Sequence, residues 1–259
     1  MFLTKNNYYT KEANLEYFSV SQFKTFMECE AKALAEIDGD YIRPTTKSLL
    51  MGSYVDAHFS GEMVEFVAQH PEIFNTRTGE LKADFRICDK LIARAEQDPF
   101  FMSFMDGDPQ LVMTGELFDQ PWKIKTDVLH SDKIVDLKVM RDMAPVYKDG
   151  EKVTFIDAWG YDIQAYVYQQ IVYQNTGKLL PFYFAVITKE EHPDIAVIEI
   201  PQWKINSVQP MMEYYMNERF SAVKALEIPP NRCGKCDYCR DTKKLSAVMQ
   251  YEELLKFSS

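Results

Sequence analysis

Nowhere in its 259 residues does the chain stay apolar for long. The longest such stretch, Leu179 to Ile187, is broken by Pro181. A bilayer-spanning helix needs about 20 apolar residues, so no membrane association is expected. The first ten residues hold a Lys, two Asn and two Tyr, with no apolar core of signal-peptide type. Export is therefore not expected, and a cytoplasmic location is. Positive charge is also scarce: 29 basic residues face 39 acidic ones, a net charge of −10. That excludes a protein that coats nucleic acid with its whole surface. It leaves room for an enzyme that holds cations on carboxylates and touches nucleic acid locally. Internal repeats and Gly/Ser-rich linkers are lacking, so one domain over residues 1–259 is expected. The composition, 46% hydrophobic and 26% charged, is that of an ordinary globular protein and excludes disorder and low complexity.

The local patterns predict helices first. Ser19 followed three residues later by Gln22 has the capping-box form and starts a helix expected to run to about Ile37, stopped by Gly39. Further helices are expected over about 48–68 and 83–97. The period then changes. Strands are expected at 111–113, 122–129 and 133–139, with turn residues His130-Ser131-Asp132 between the last two. A helix over about 157–174 follows. Next come two strands, 182–188 and 195–200, joined around His192-Pro193-Asp194, and a helix over about 211–225. The order suggests an α/β protein with a mixed central β-sheet flanked by helices.

Asp136-Leu137-Lys138 is the most informative tripeptide. Side chains alternate along a strand, so Asp136 and Lys138 share a face and Leu137 points away. With Ser131 and Asp132 at the centre of a hairpin turn, Asp127 falls opposite Asp136. Directly opposed residues have Cβ atoms about 4.5–5.5 Å apart. Two carboxylates that close repel unless a cation lies between them. Carboxylates together with substrate phosphate are what Mg²⁺ favours. Lys138 would then stand near the attacking water or the phosphate. Glu116, at the end of the preceding strand, is expected to add a third carboxylate. The plain alternative is a solvated, charged strand face.

These residues resemble the PD-(D/E)xK nuclease motif, with Asp127 and Asp136 as its acids and Lys138 as its lysine. Gln164 and Tyr168, four apart on one helix face, are similar to the Gln-x-x-x-Tyr helix of the RecB-type branch. Ser19-Val20-Ser21-Gln22-Phe23 and Gly52-Ser53-Tyr54-Val55 look like segments of phage and prophage RecE-type exonucleases. The resemblance spans about residues 19 to 240, most of the chain. It implies a restriction-endonuclease-like core over about 48–205. It also implies an Mg²⁺- or Mn²⁺-dependent exonuclease acting on double-stranded DNA ends in phage-type homologous recombination. Such an enzyme would release 5′-phosphate nucleotides, work beside a single-strand annealing protein, and leave a homo-oligomer open. Metal ligands would come from Glu116, Asp127, Asp136 and the backbone carbonyl of Leu137, while Gln164 and Tyr168 would position the substrate. The family's histidine, four residues after the glycine, is replaced here by Asp56, with His58 the nearest histidine. Asp56 is the favoured site residue and His58 the alternative. A non-catalytic module that binds DNA ends or a partner, and a structure-specific endonuclease, stand as rival functions.

Three of the five cysteines fall within seven residues, as Cys233-x-x-Cys236-x-x-Cys239. In a chain with no export signal this reads as a metal site before it reads as disulfides. Cys29 is the candidate fourth ligand. The arrangement resembles the iron–sulfur nucleases of the RecB-type branch, which implies a [4Fe–4S] cluster stapling the N-terminal helix to the C-terminal segment. Zn²⁺ and free thiols are the alternatives. Cys88 reads as a small buried hydrophobe. Arg232, Lys235, Arg240, Lys243 and Lys244 form a local basic stretch that would contact a DNA backbone, or remain a solvated tail.

Overall fold

The computed structural model describes residues 1–148, 150–245, 247–248 and 250–252. The N-terminal third is helical: α1 (Lys11–Glu16), α2 (Val20–Glu28), α3 (Glu30–Asp38), α4 (Lys47–Phe59), α5 (Met63–Gln69), α6 (Ala83–Glu96) and α7 (Pro99–Met105). The strands β1 (Asp108–Leu117), β2 (Gln120–Leu129) and β3 (Ile134–Met140) follow, then a small hairpin of β4 (Val146–Lys148) and β5 (Glu151–Val153). The chain continues through α8 (Phe155–Trp159), α9 (Tyr161–Thr176), β6 (Phe182–Thr188), β7 (Ile195–Ile200), α10 (Gln202–Ser207) and α11 (Gln209–Tyr215). A π-helical turn at Met216–Phe220 leads to α12 (Ser221–Lys224), and α13 (Asp237–Asp241) holds the last cysteine.

The central sheet has the order β1-β2-β3-β6-β7. Its pairs are antiparallel except β3 with β6, which is parallel. The sheet is therefore mixed, as the sequence indicates. Apolar clusters cover both faces. Trp122, Ile124, Ile134, Phe182 and Phe184 pack with α2 and α9 on one side. Val135, Leu137, Ala185 and Ile187 pack with α4, α6 and α7 on the other. Burial on both faces explains the near-continuous apolar reading of β6.

The hairpin register follows the turn chemistry: the His130 N–H donates to the Lys133 carbonyl, and Val128 faces Val135. Segment 18–19 is fixed to the sheet margin by backbone bonds. The Phe18 N–H donates to the Pro121 carbonyl, and the Lys123 N–H donates to the Phe18 carbonyl. This places the Ser19 cap, and with it α2, beside β2.

Three expected helices are interrupted. The helix expected from Ser19 to Ile37 breaks at Cys29, whose backbone is extended (φ −167°, ψ 111°), so that α2 and α3 become separate helices. The apolar period runs through this point, so periodicity alone does not reveal the break. The helix expected over 48–68 breaks at Ser60-Gly61, where Gly61 takes φ +74°. The helix expected over 157–174 turns a corner at Gly160, φ +59°, which separates α8 from α9. Left-handed backbone is readily adopted only by glycine, so the last two breaks have a sequence signal.

Candidate active site

The β2–β3 ladder carries only two residue pairs before the strands part. In the opening the Asp127 carboxylate bridges the strands instead, its Oδ2 accepting the Leu137 N–H at 2.8 Å. Asp136 and Lys138 project from β3 on the face of Ile134, toward α9. Lys138 Nζ forms an ion pair with Asp136 Oδ2, and Asp136 is almost wholly buried. Gln164 on α9 ties the pair together. Its Nε2 donates to Asp136 Oδ1, and its Oε1 accepts from Lys138 Nζ at 3.2 Å. Tyr168, one turn on, donates its hydroxyl to the Lys125 carbonyl on β2 at 3.1 Å. Gln164 and Tyr168 therefore touch the protein's own acid–lysine pair and its own strand. What the geometry shows is that they position those elements.

Asp56 reaches the same opening from α4. Gln110 Nε2 donates to both of its carboxylate oxygens, at 3.0 and 3.2 Å. Asp56, Gln110, Asp127, Gln164 and Tyr168 line one pocket of about 300 Å³, which Ser19, Ser21 and Lys24 close on the α2 side and Lys125 on β2. Burial is the main reason the Asp56 carboxyl is pushed up to about 6. Lys125 opposes this and Asp136 adds to it. Asp127 is pushed well above the usual carboxylate range by burial and by the charges of Asp136 and Asp56. Burial works against the Lys138 ammonium, but Asp136 and Asp127 outweigh it and hold its pKa above the ordinary lysine value.

The donor set fits a hard divalent cation. Asp56 and Asp127 line the pocket, and Asp136 is near enough for its charge to raise both. The buried Oε1 of Gln110 has no hydrogen-bond partner. An orphaned oxygen beside repelling carboxylates is what an oxygen-ligated cation would satisfy. Gln110 is also held at φ 56°, a left-handed conformation uncommon for a residue with a side chain. Such strain persists where surrounding structure enforces it, and it clusters at functional sites.

Two expected ligands are corrected. Glu116 lies six residues along β1 from Gln110, roughly 20 Å at strand rise. It is exposed, with its N–H donating to Gln174 Oε1. The β1–β2 register, which sets Glu116 opposite Pro121, carries it away from Asp127. His58 is two residues from Asp56 on α4, hence on a different face, and pairs with Glu96 at 2.8 Å. Asp56, not His58, faces the pocket. Leu137 sits in the β3–β6 ladder opposite Ala185, with its N–H taken by Asp127.

Several pocket residues escape sequence reasoning. Gln110 has no motif to mark it. Lys24 comes from α2, donates to the Trp159 carbonyl at 2.8 Å and lies over the Tyr161 ring, which also carries Lys138. Burial, then repulsion from Lys138, lowers Lys24 to about 8. Lys125 lies over Tyr9. The only available signal for Lys24 was its place one turn after the Ser19 cap.

Cys29, Cys233, Cys236 and Cys239 are brought together at the far end of α2, with their sulfurs all within 4.8 Å of one another. Ser19 is roughly 15 Å from this point at helical rise. Cys88 is separate and fully buried on α6. In the basic stretch, Arg232 donates to Thr242 Oγ1 and lies over Tyr238. Arg232, Lys243 and Lys244 line a hollow beside the cysteines, and Lys235 and Arg240 are exposed.

Comparison with known proteins agrees with this geometry. A family model described as a PDDEXK-like domain of unknown function (DUF3799) matches residues 19–242. A crystal structure at 2.19 Å of a protein from Eubacterium rectale, described as a "putative exonuclease", is 42% identical. The alignment covers 98% of each chain with a TM-score of 0.94. Curated proteins yield no match. A family model covering most of the chain, together with acids and lysine in the opening of a mixed sheet, makes this chain a member of the PDDEXK-like DUF3799 family, with a nuclease-type fold.

Proposed function

We propose that the protein is a metal-dependent deoxyribonuclease that degrades double-stranded DNA from its ends, carried by one nuclease domain. The observation that carries this reading is the meeting of Asp56 and Asp127 in one pocket where β2 and β3 part, with the Asp136–Lys138 pair behind it, tied to the pocket by Gln164. Asp56, Asp127 and Asp136 would hold Mg²⁺ or Mn²⁺, with the Leu137 carbonyl as a further candidate ligand. A bound divalent ion supplies an acidified water and neutralises charge on the phosphate.

The remaining roles belong to the chain's own residues. The water oxygen attacks phosphorus, the bond from phosphorus to the 3′-oxygen breaks, and that oxygen leaves with a proton. The released nucleotide keeps its 5′-phosphate. Lys138, held as an ammonium by Asp136, orients the water and faces the phosphate charge. Gln164 fixes the Lys138–Asp136 pair, and Tyr168 fixes the β2 backbone beside Asp127. Arg232, Lys235, Arg240, Lys243 and Lys244 would contact the duplex backbone away from the cut. The likeness to RecE-type exonucleases supports a place in phage-type recombination beside a single-strand annealing protein.

The test is release of acid-soluble nucleotides from linear duplex DNA with Mg²⁺, by the wild type and by Lys138→Ala. Degradation by the wild type alone, with closed circles spared, is the expected result. Cutting of closed circles would make the protein an endonuclease. Metal binding without turnover on any DNA form would make it a binding module, with Asp56 in the family's histidine position as the first suspect.

A further inference from the structure

Four of the five cysteines meet at a point the nuclease reading does not use. Cys29 Sγ is 3.5 Å from Cys239 Sγ, and Cys233 Sγ is 4.0 Å from Cys239 Sγ. No sulfur of the four is more than 4.8 Å from another, and none is in a disulfide. Four thiolates on one tetrahedral ion with bonds of about 2.3 Å stand about 3.8 Å apart. The observed spacings bracket that value. A four-iron cubane binds each thiolate through a different iron at a separate corner, which sets the sulfurs further apart than a single ion does. The arrangement therefore does not fit the cluster that the resemblance implied.

We infer that Cys29, Cys233, Cys236 and Cys239 bind one tetrahedral, thiophilic divalent ion of the zinc class, a structural staple between segments 200 residues apart. The local backbone suits it. The Cys236 N–H donates to Cys233 Sγ at 3.3 Å, and the Cys239 N–H donates to Cys236 Sγ at 3.4 Å. Such N–H···S bonds stabilise thiolate charge. Gly234, at φ +73°, lets the chain fold back between the first two ligands. The fourth ligand enters at the break between α2 and α3.

A second contact system braces the same junction. Glu30 accepts from the Arg219 guanidinium at 2.6 and 2.7 Å and from the Asn231 N–H at 2.7 Å. Cys29 and Cys239 are buried and the other two half-buried. Four protein ligands leave no open position, which is the pattern of a structural ion and not of a catalytic one. Binding displaces the thiol protons to solvent, so loading is pH-dependent.

The test uses the full-length protein, produced with both iron and zinc supplied and purified without air or chelator. Metal content, acid-labile sulfide and the visible spectrum are measured. One zinc per chain, trace iron and no broad violet band are expected, and replacement by Co²⁺ should give the intense bands of tetrahedral cobalt thiolate. Cys236→Ser should lose the zinc, while Cys88→Ala should keep it. Because a ligand variant can fail to fold, thiol titration of the wild type provides a second readout. Mercurial modification of the native protein should release zinc in step with the thiols. Four irons with sulfide per chain, or four thiols that react without releasing any metal, would overturn the inference.

Discussion

At one end of α2, Ser19 and Ser21 line a pocket of oxygen ligands; at the other, Cys29 faces three sulfurs. The first site is built on the sheet. Its carboxylates are fixed by β2, β3 and α4; burial first, and then their mutual charge, raise Asp56 and Asp127. One of its buried oxygens has no partner. The second site is built on a helix break and a short knuckle, with N–H donors already turned toward its sulfurs. Hard oxygens around an open pocket suit an ion that shares its coordination with substrate. Soft sulfurs in a closed group suit an ion that stays. On the roles proposed above, the difference would separate chemistry from scaffolding within one molecule.

The sharpest way to break this comparison is to remove a charge from β3. Lys138→Ala and Asp136→Asn should each lower nuclease activity by about 10²–10⁴-fold, the usual range for a lost acid–base or positioning group. The metal content of the cysteine site should not change in either. If activity and thiolate metal fell together, the two ends of α2 would not be independent.

The next largest effect concerns stability. The Asp56 carboxyl rises from 3.8 unfolded to about 6 folded. Between those values the folded chain binds more protons, so its contribution to stability is present at low pH and is lost as pH rises through about 6. At 1.36 kcal/mol per unit this is about 3 kcal/mol. Asp56→Asn should therefore raise the Tm of the cation-free protein at pH 7.5 and weaken Mg²⁺ binding by calorimetry. Mg²⁺ should raise the wild-type Tm more at pH 7.5 than at pH 5. A Tm unchanged by Asp56→Asn would show that burying the Asp56 carboxylate carries no such cost.

Arg232→Ala combined with Lys244→Ala tests the basic stretch near the sulfurs. Duplex affinity should fall, and the slope of log affinity against log salt should shrink by about one per lost phosphate contact. An unchanged slope would confine DNA binding to the other end of α2. The smallest effect is expected from Glu116→Gln, where stability should move by no more than about 0.5 kcal/mol and activity should hold. A large loss of activity there would place a ligand where the strand register does not.

Much of the fold could be read before the structure. Trp122–Leu129, Ile134–Val139 and the last two strands lie where alternation and turn residues put them. The hairpin between β4 and β5 and the short helices α1 and α7 did not stand out, because segments so short carry little period. Pro99, with Asp98 as its cap, begins α7. At the site, Asp127 lies beside β3 because turn chemistry fixed the register. Glu116 stands apart because the two-residue turn Phe118-Asp119 pairs Leu117 with Gln120, which leaves Glu116 at the hairpin end of β1, opposite Pro121.

The sequence by itself determined which side chains share a face. Period two puts Asp136 with Lys138, period 3.6 puts Gln164 with Tyr168, and spacing makes a ligand knuckle of Cys233, Cys236 and Cys239. Only the tertiary structure decided which faces meet. It brought Asp56 and Gln110 to Asp127 in place of Glu116 and His58, set Lys24 beside Lys138, and broke a helix at Cys29 to complete the sulfur group. The physical reason is range. Local geometry repeats every few residues and is written in the chain, whereas the parting of β2 from β3 and the placing of α2 and α4 on opposite faces depend on how two apolar layers close over one sheet.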